Sequence, residues 1–153
     1  MTKRVYIDTS VVGGYFNDEF EFWTKQFFRS VERGEYKIVM SEIVTQELEL
    51  APQHIRELLS KMKEKHKEYI EISEESEELA GHYLNNGIVG IKSMTDCRHI
   101  AVATVNEVEI LTSWNFRHIV NLNKIHLYNG INLQNGYRTL EIRTPREIVN
   151  YED

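Results

Sequence analysis

Lys3-Arg4-Val5-Tyr6-Ile7-Asp8-Thr9-Ser10 is the stretch whose reading decides the fold. Val5 and Ile7 give it the alternation of a short strand, and it ends on an acid followed by two hydroxyl residues, a strand running into a polar turn. The same design recurs downstream. Tyr36 to Met40 (YKIVM) leads into Ser41, and Val108 to Leu111 (VEIL) leads into Thr112-Ser113-Trp114-Asn115. Helical periodicity fills the intervals. Phe20, Trp23, Phe27 and Val31 form one stripe of a helix over Glu19 to Arg33, which Gly34 ends. Ser41 can cap a helix over 42–50, which Pro52 stops or kinks, and a basic helix continues to about Lys67. Tyr69 to Ile72 is a weaker strand, and a helix over 74–84 stops at Asn85-Asn86-Gly87. Ser93 opens a helix over 94–106, with Asp96 where a capping-box acid would sit. Between 124 and 143 the signal is mixed, and the Asn-Gly pairs at 129–130 and 135–136 suggest turns or a hairpin. Thr144-Pro145-Arg146-Glu147 caps a last short helix. Strands alternating with helices at this spacing predict an α/β fold of three layers, a central mostly parallel sheet flanked by helices.

With 153 residues and 41% hydrophobic content the chain can bury one core and has little to spare for a second, so one domain is expected over residues 1–153. No run of eighteen apolar residues occurs, and the N-terminus enters a strand directly, which predicts no membrane span and a cytoplasmic protein. The single Cys97 excludes an internal disulfide, and no Cys or His pair has metal-ligand spacing. Any metal would therefore be held by oxygens. A net charge of −6 argues against a protein that coats nucleic acid, since such binders neutralise phosphates with Lys and Arg. Residues 54–67 carry five Lys or Arg against two Glu, and residues 71–78 carry five Glu; solvated helix faces account for both.

Three carboxylates stand where apolar residues are expected. Glu47 falls in the arc made by Ile43, Val44, Leu48, Leu50 and Ala51, while Glu42 and Glu49 point away. Asp96 projects between Ile100 and Ala103 on a helix apolar in nearly every direction, and Asp8 ends the first strand, where ligands gather in open α/β sheets. Each has a plainer role when taken singly: a helix-start acid for Asp96, a turn residue for Asp8, a partner for a buried Arg for Glu47. Carboxylates sharing a pocket repel, and protons or a hard cation must offset the charge. Oxygen-only ligands favour Mg2+ or Mn2+.

Four ordered blocks, Val5 to Ser10, Ser41 to Leu48, Asp96 to Ala103 and Ile110 to Asn115, resemble the PIN domain, most of all the ribonuclease toxins of the VapC type. The resemblance runs from residue 3 to about 120, and the closing stretch from Gly136-Tyr137 to Glu147 is similar to the tail of one subgroup. It implies an acidic metal cluster of Asp8, Glu47 and Asp96, with Asn115 at the family's fourth acidic position. There the chain departs from the pattern, because Asn can ligate through its carbonyl oxygen but brings no charge. One metal on Asp8 and Asp96, with Glu47 and Asn115 contributing directly or through water, is what this set implies.

The implied activity is that of a metal-dependent endoribonuclease, the toxin of a type II toxin–antitoxin system, with a cognate antitoxin as partner. Thr9 and Ser10 could hold a phosphate oxygen, and Arg98, Arg117 and His118 could grip the RNA backbone. Trp114 is expected in the core rather than stacked on a base, and His99 is expected to be a buried, hydrogen-bonded structural residue rather than a base. The aromatic cluster of Phe16, Phe20, Phe22, Trp23, Phe27 and Phe28 could face a partner or a second copy in a homodimer, although core packing explains most of it. The alternatives are a catalytically weak PIN-like scaffold that binds RNA or protein, an interaction module whose acids meet a basic peptide, and a phosphotransferase of the haloacid-dehalogenase type. The last wants a second Asp where Ser10 stands.

Overall fold

Val5, Tyr6 and Ile7 are consecutive and all fully buried. Successive strand residues point to opposite faces, so this strand is covered on both sides, the condition under which parallel sheets form. In the computed structural model, which describes residues 2–149, the chain runs β1 (Lys3–Ile7), α1 (Thr9–Gly14), α2 (Glu21–Glu32), β2 (Tyr36–Ser41), α3 (Glu42–Glu49), α4 (Gln53–Ser60), β3 (Lys67–Ile70), α5 (Glu74–Asn85), α6 (Met94–Val105), β4 (Ile110–Thr112), α7 (Leu122–Gln134), β5 (Glu141–Arg143) and α8 (Pro145–Ile148). The strands form one sheet in the order β3-β2-β1-β4-β5, and every pairing is parallel. Val5 lies level with Ile38 and Ile110, and Tyr6 with Val39 and Leu111. The expected α/β architecture, a parallel sheet flanked by helices, is what the structure shows.

The order of the strands places the site. The chain steps outward from β1 to β2 and β3, then returns to the other side of β1 for β4 and β5. Connections leaving β1 and β4 therefore diverge, and a crevice opens beyond their carboxyl ends. No helix among the described residues is long and apolar enough to cross a membrane.

Several expectations are corrected. The turn after Asp8 is a helix, α1, whose Val11 and Val12 are fully buried. The basic helix stops at Ser60, and the strand expected at 69–72 begins instead at Lys67. Lys67 buries its stem and extends Nζ to the Leu59 carbonyl at 3.0 Å and to Glu64, which serves the end of α4. The strand expected over 108–111 is shifted to 110–112, because Glu107 sits at φ 55 in the turn leaving α6. No hairpin occupies 124–143. Asn121 caps α7 by accepting from Lys124 N, and Asn129-Gly130 lies inside that helix. Of the glycines in the two Asn-Gly pairs, Gly136, at φ 84, is the one that acts as a helix stop. Ser93 makes no side-chain cap on α6, so Asp96 is not the partner in a capping box.

Trp114 is 8% exposed and lies over α1. A Cβ on Gly14 would come within 2.7 Å of Trp114 Cδ1, whereas one on Gly13 meets nothing within 4 Å. Gly14→Ala is therefore expected to lose about 1–3 kcal/mol by overpacking. Gly13→Ala should be neutral or stabilising by up to about 1 kcal/mol through helix propensity. Urea unfolding of the two variants checks the pair, and equal stabilities would contradict it.

Candidate active site

Asp8 follows the last residue of β1 in extended conformation and occupies the cap position of α1, but its side chain does not cap the helix. The carboxylate instead accepts from Ser10 Oγ at 2.6 Å and from Ser113 Oγ at 2.7 Å. Ser113 follows β4, so neighbouring strand ends hold the two sides of one hydrogen bond. Both serines are fixed in turn by backbone N–H groups: Trp114 N donates to Ser10 Oγ at 2.9 Å, and Asn115 N to Ser113 Oγ at 2.9 Å.

Glu47 stands near the end of α3 with its side chain 39% exposed. The expectation that it looks inward needs correcting: Leu50, which helped define the inward arc, is 93% exposed, because α3 ends at Glu49. Glu47 lies at the rim of the crevice, and its Oε1 accepts from Thr9 Oγ1 at 2.9 Å and from His99 Nε2 at 2.8 Å. An ionised carboxylate only accepts, so Nε2 carries the proton of that bond.

Asp96 lies in the first turn of α6, and Asn115 Nδ2 donates to its Oδ1 at 3.3 Å. Backbone groups fix which way the Asn115 amide faces. Its Oδ1 accepts from Arg117 N at 3.2 Å and His118 N at 2.9 Å, which leaves the NH2 end toward Asp96. The carbonyl oxygen expected as a ligand is occupied by the turn.

Asp96 and Asp8 each feel a neighbouring acid. Burial pushes the Asp96 carboxyl up to about 6, the charges of Asp8 and Glu47 add to the rise, and His99 and Asn115 oppose it. Asp8 is also raised, first by burial and further by Glu47, against His99, Ser10 and Ser113. Burial works to raise Glu47 as well, but the hydrogen bond and charge of His99 and the hydrogen bond of Thr9 hold it below the ordinary range. Among the described residues no three His, Cys, Asp or Glu side chains form a ready-made metal cage. The donor chemistry nonetheless suits a hard divalent cation, because every candidate ligand is a carboxylate oxygen and the charges of Asp8 and Glu47 still raise Asp96.

The remaining expected residues divide. Thr9 and Ser10 spend their hydroxyls on Glu47 and Asp8. Arg98 is drawn out of the crevice by Glu77, its Nε lying 2.9 Å from Oε1. Arg117 is exposed and joins the site only through its backbone. Trp114 is core: its Nε1 donates to Thr24 Oγ1 at 2.8 Å and its ring stacks on Phe20 at 4.5 Å. Phe27 and Phe28 are buried, while Phe16 and Phe22 are exposed. Ser113 and Tyr6 lie outside the set of residues that the sequence singles out. Ser113 occupies after β4 the place that Asp8 occupies after β1, which was the available signal.

No protein-family model matches the chain, and no curated protein is significantly similar to it. Solved structures are similar in fold. VapC20 of Mycobacterium tuberculosis, described as a sarcin-ricin loop cleaving toxin, is 15% identical with a TM-score of 0.57 over 74% of this chain and 92% of that one. FitAcB of Neisseria gonorrhoeae is 11% identical with a TM-score of 0.60 over 92% and 97%. VapBC2 of Rickettsia felis, solved on a DNA fragment from its promoter, is 12% identical with a TM-score of 0.56 over 92% and 98%. The chain shares its α/β fold, a parallel sheet flanked by helices, with these VapC20, FitAcB and VapBC2 structures.

Asp96 yields a stability prediction. Folded, it ionises near pH 6; unfolded, nearer 4. Between these values the folded chain keeps a proton that the unfolded chain has released, so stability falls as pH rises through the window. Above it the charge is a standing cost. Asp96→Asn is expected to raise Tm at pH 7 by a few degrees, roughly, and to lose that gain below about pH 4. Scanning calorimetry at both pH values decides it, and a lower Tm at pH 7 would show that Asp96 is favourably paired instead.

Proposed function

We propose that this chain, with its PIN-domain fold, is a metal-dependent endoribonuclease and the toxin half of a toxin–antitoxin pair. The observation that carries the reading is the set of linked carboxylates at the strand switch: Thr9, next to Asp8, donates to Glu47, Asn115, just past Ser113, donates to Asp96, and Asp96 is driven up to about 6 by burial and by the charges of Asp8 and Glu47. Folding tolerates such a cost where function needs the charges. Asp8, Glu47 and Asp96 would hold Mg2+ or Mn2+, which when bound supplies Lewis acidity to polarise a phosphoryl oxygen and ready water for attack.

The protein's own part is to hold these oxygens. Ser10 and Ser113 fix both oxygens of Asp8, Thr9 and His99 fix one oxygen of Glu47, and Asn115 fixes Asp96. Phe116 follows Asn115, is 52% exposed and lies 6.1 Å from the Phe20 ring. It offers an unpaired base a stacking face that buried Trp114 does not. The cleavage named for VapC20 supports RNA as substrate, and the two-component VapBC2 of Rickettsia felis, solved on DNA from its promoter, supports a cognate antitoxin. Such an enzyme would act in the cytoplasm, where its RNA is.

One observation favours a second reading, a catalytically weak scaffold that binds RNA or protein. Asn115 presents an N–H donor where an acid would add an oxygen and a charge. Titrating Mg2+ and Mn2+ into the purified, partner-free protein with a panel of structured RNAs separates the readings. Metal-dependent cutting is expected, with a loss of more than about 100-fold in Asp8→Asn and in Asp96→Asn. Metal binding without cutting would favour the scaffold, and neither binding nor cutting would end the nuclease reading.

A further inference from the structure

Behind Glu47 runs a buried polar chain of which the nuclease reading uses only the last link, His99 on Glu47. Ser41 Oγ lies 2.8 Å from Tyr6 Oη, Tyr6 Oη lies 2.6 Å from His99 Nδ1, and His99 Nε2 lies 2.8 Å from Glu47 Oε1. Tyr6 and Ser41 are fully buried and His99 is 2% exposed. The chain closes on a single helix: Ser41 caps α3 by accepting from Ile43 N at 3.3 Å, and Glu47 lies on the same α3. Four elements, β1, β2, α3 and α6, thus meet in one line of hydrogen bonds.

We propose that His99, backed by Tyr6, is a positioning residue that fixes the Glu47 carboxylate with Oε1 tied to the protein and Oε2 left for a metal or its water. The proposal rests on the nuclease reading above. A half-exposed Glu on a helix has three rotatable bonds, and among the described residues its other tether is the Thr9 hydroxyl at the rim, which turns on a bond of its own. His99 is the stiffer of the two holds because both of its nitrogens are bonded. Nε2 donates to Oε1, and the Tyr6 hydroxyl at Nδ1 can donate or accept, so the ring stays oriented whether or not Nδ1 carries a proton. Among the described residues Oε2 has no hydrogen-bond partner. Outer partners of this kind set the direction in which a ligand presents its oxygen.

Two substitutions separate positioning from bulk. Gln places an amide N–H near the position of Nε2 and can keep the bond to Glu47. Asn reaches only as far as Nδ1, so it can keep the contact to Tyr6 but not the one to Glu47. Calorimetric titration with Mn2+ and cleavage of an RNA substrate are measured on full-length wild type, His99→Gln, His99→Asn, Tyr6→Phe and Glu47→Gln, each checked by thermal melting. His99→Asn is expected to lose about ten-fold or more in Mn2+ affinity and kcat with KM for RNA unchanged, while His99→Gln stays within about three-fold of wild type. Tyr6→Phe should show a smaller loss of the same kind. Combined with Glu47→Gln, His99→Asn should add no further loss, because it acts through that carboxylate. Equal losses in the Gln and Asn variants, no loss in either, or an additive double variant would overturn the proposal and leave the nuclease reading intact. A wild type that neither takes up Mn2+ nor cuts RNA would overturn both.

Discussion

β1 is hydrogen-bonded along both edges and covered on both faces, and the rest of the structure follows from that enclosure. A strand so placed has no exposed side chain along its inner length, as the full burial of Val5, Tyr6 and Ile7 shows. The chain can offer chemistry only where it leaves the sheet. Asp8 stands at that exit, and β4, entering on the other side, delivers Ser113 and Asn115 to the same place. α3 and α6 bring Glu47 and Asp96 from outside the sheet. Putting several acids at a sheet's mouth raises the energy of each, and the hydrogen bonds around them limit the penalty without cancelling it.

The strand-and-helix alternation was legible because it depends on local pattern. Val5-Tyr6-Ile7 and Ile38-Val39-Met40 are apolar runs bounded by turns, and their burial follows from composition. The unusual carboxylates were legible too, since an acid at the end of an apolar strand, or on a helix apolar all round, conflicts with its surroundings. Glu47 was the exception. Its arc included Leu50, and a helix ending one residue earlier moves that side chain into solvent and Glu47 to the rim.

What could not be read depends on contacts between distant segments. Asn129-Gly130 has the composition of a turn, yet Asn129 Oδ1 accepts from Leu140 N at 2.7 Å and its Nδ2 donates to Leu140 O at 3.0 Å, so the residue braces α7 against the approach to β5. Tyr6 looks like an ordinary strand residue and Ser113 like an ordinary turn residue until the strand order sets one against His99 and the other beside Asp8. Arg98, close in sequence to Asp96, is taken by Glu77 of α5, which no spacing within its own helix reveals.

Asn115 has a consequence for how such a site could change over time. Its carbonyl oxygen accepts from the backbone of Arg117 and His118, and an aspartate oxygen does the same work at a helix or turn start. Asn and Asp codons differ by one base. A single point mutation could therefore alter the charge of the crevice while leaving the turn that shapes it in place. The change would exchange the Asn115 Nδ2 hydrogen bond to Asp96 for carboxylate repulsion, so the acidity of the pocket is set by one side chain while its shape is set by the backbone around it.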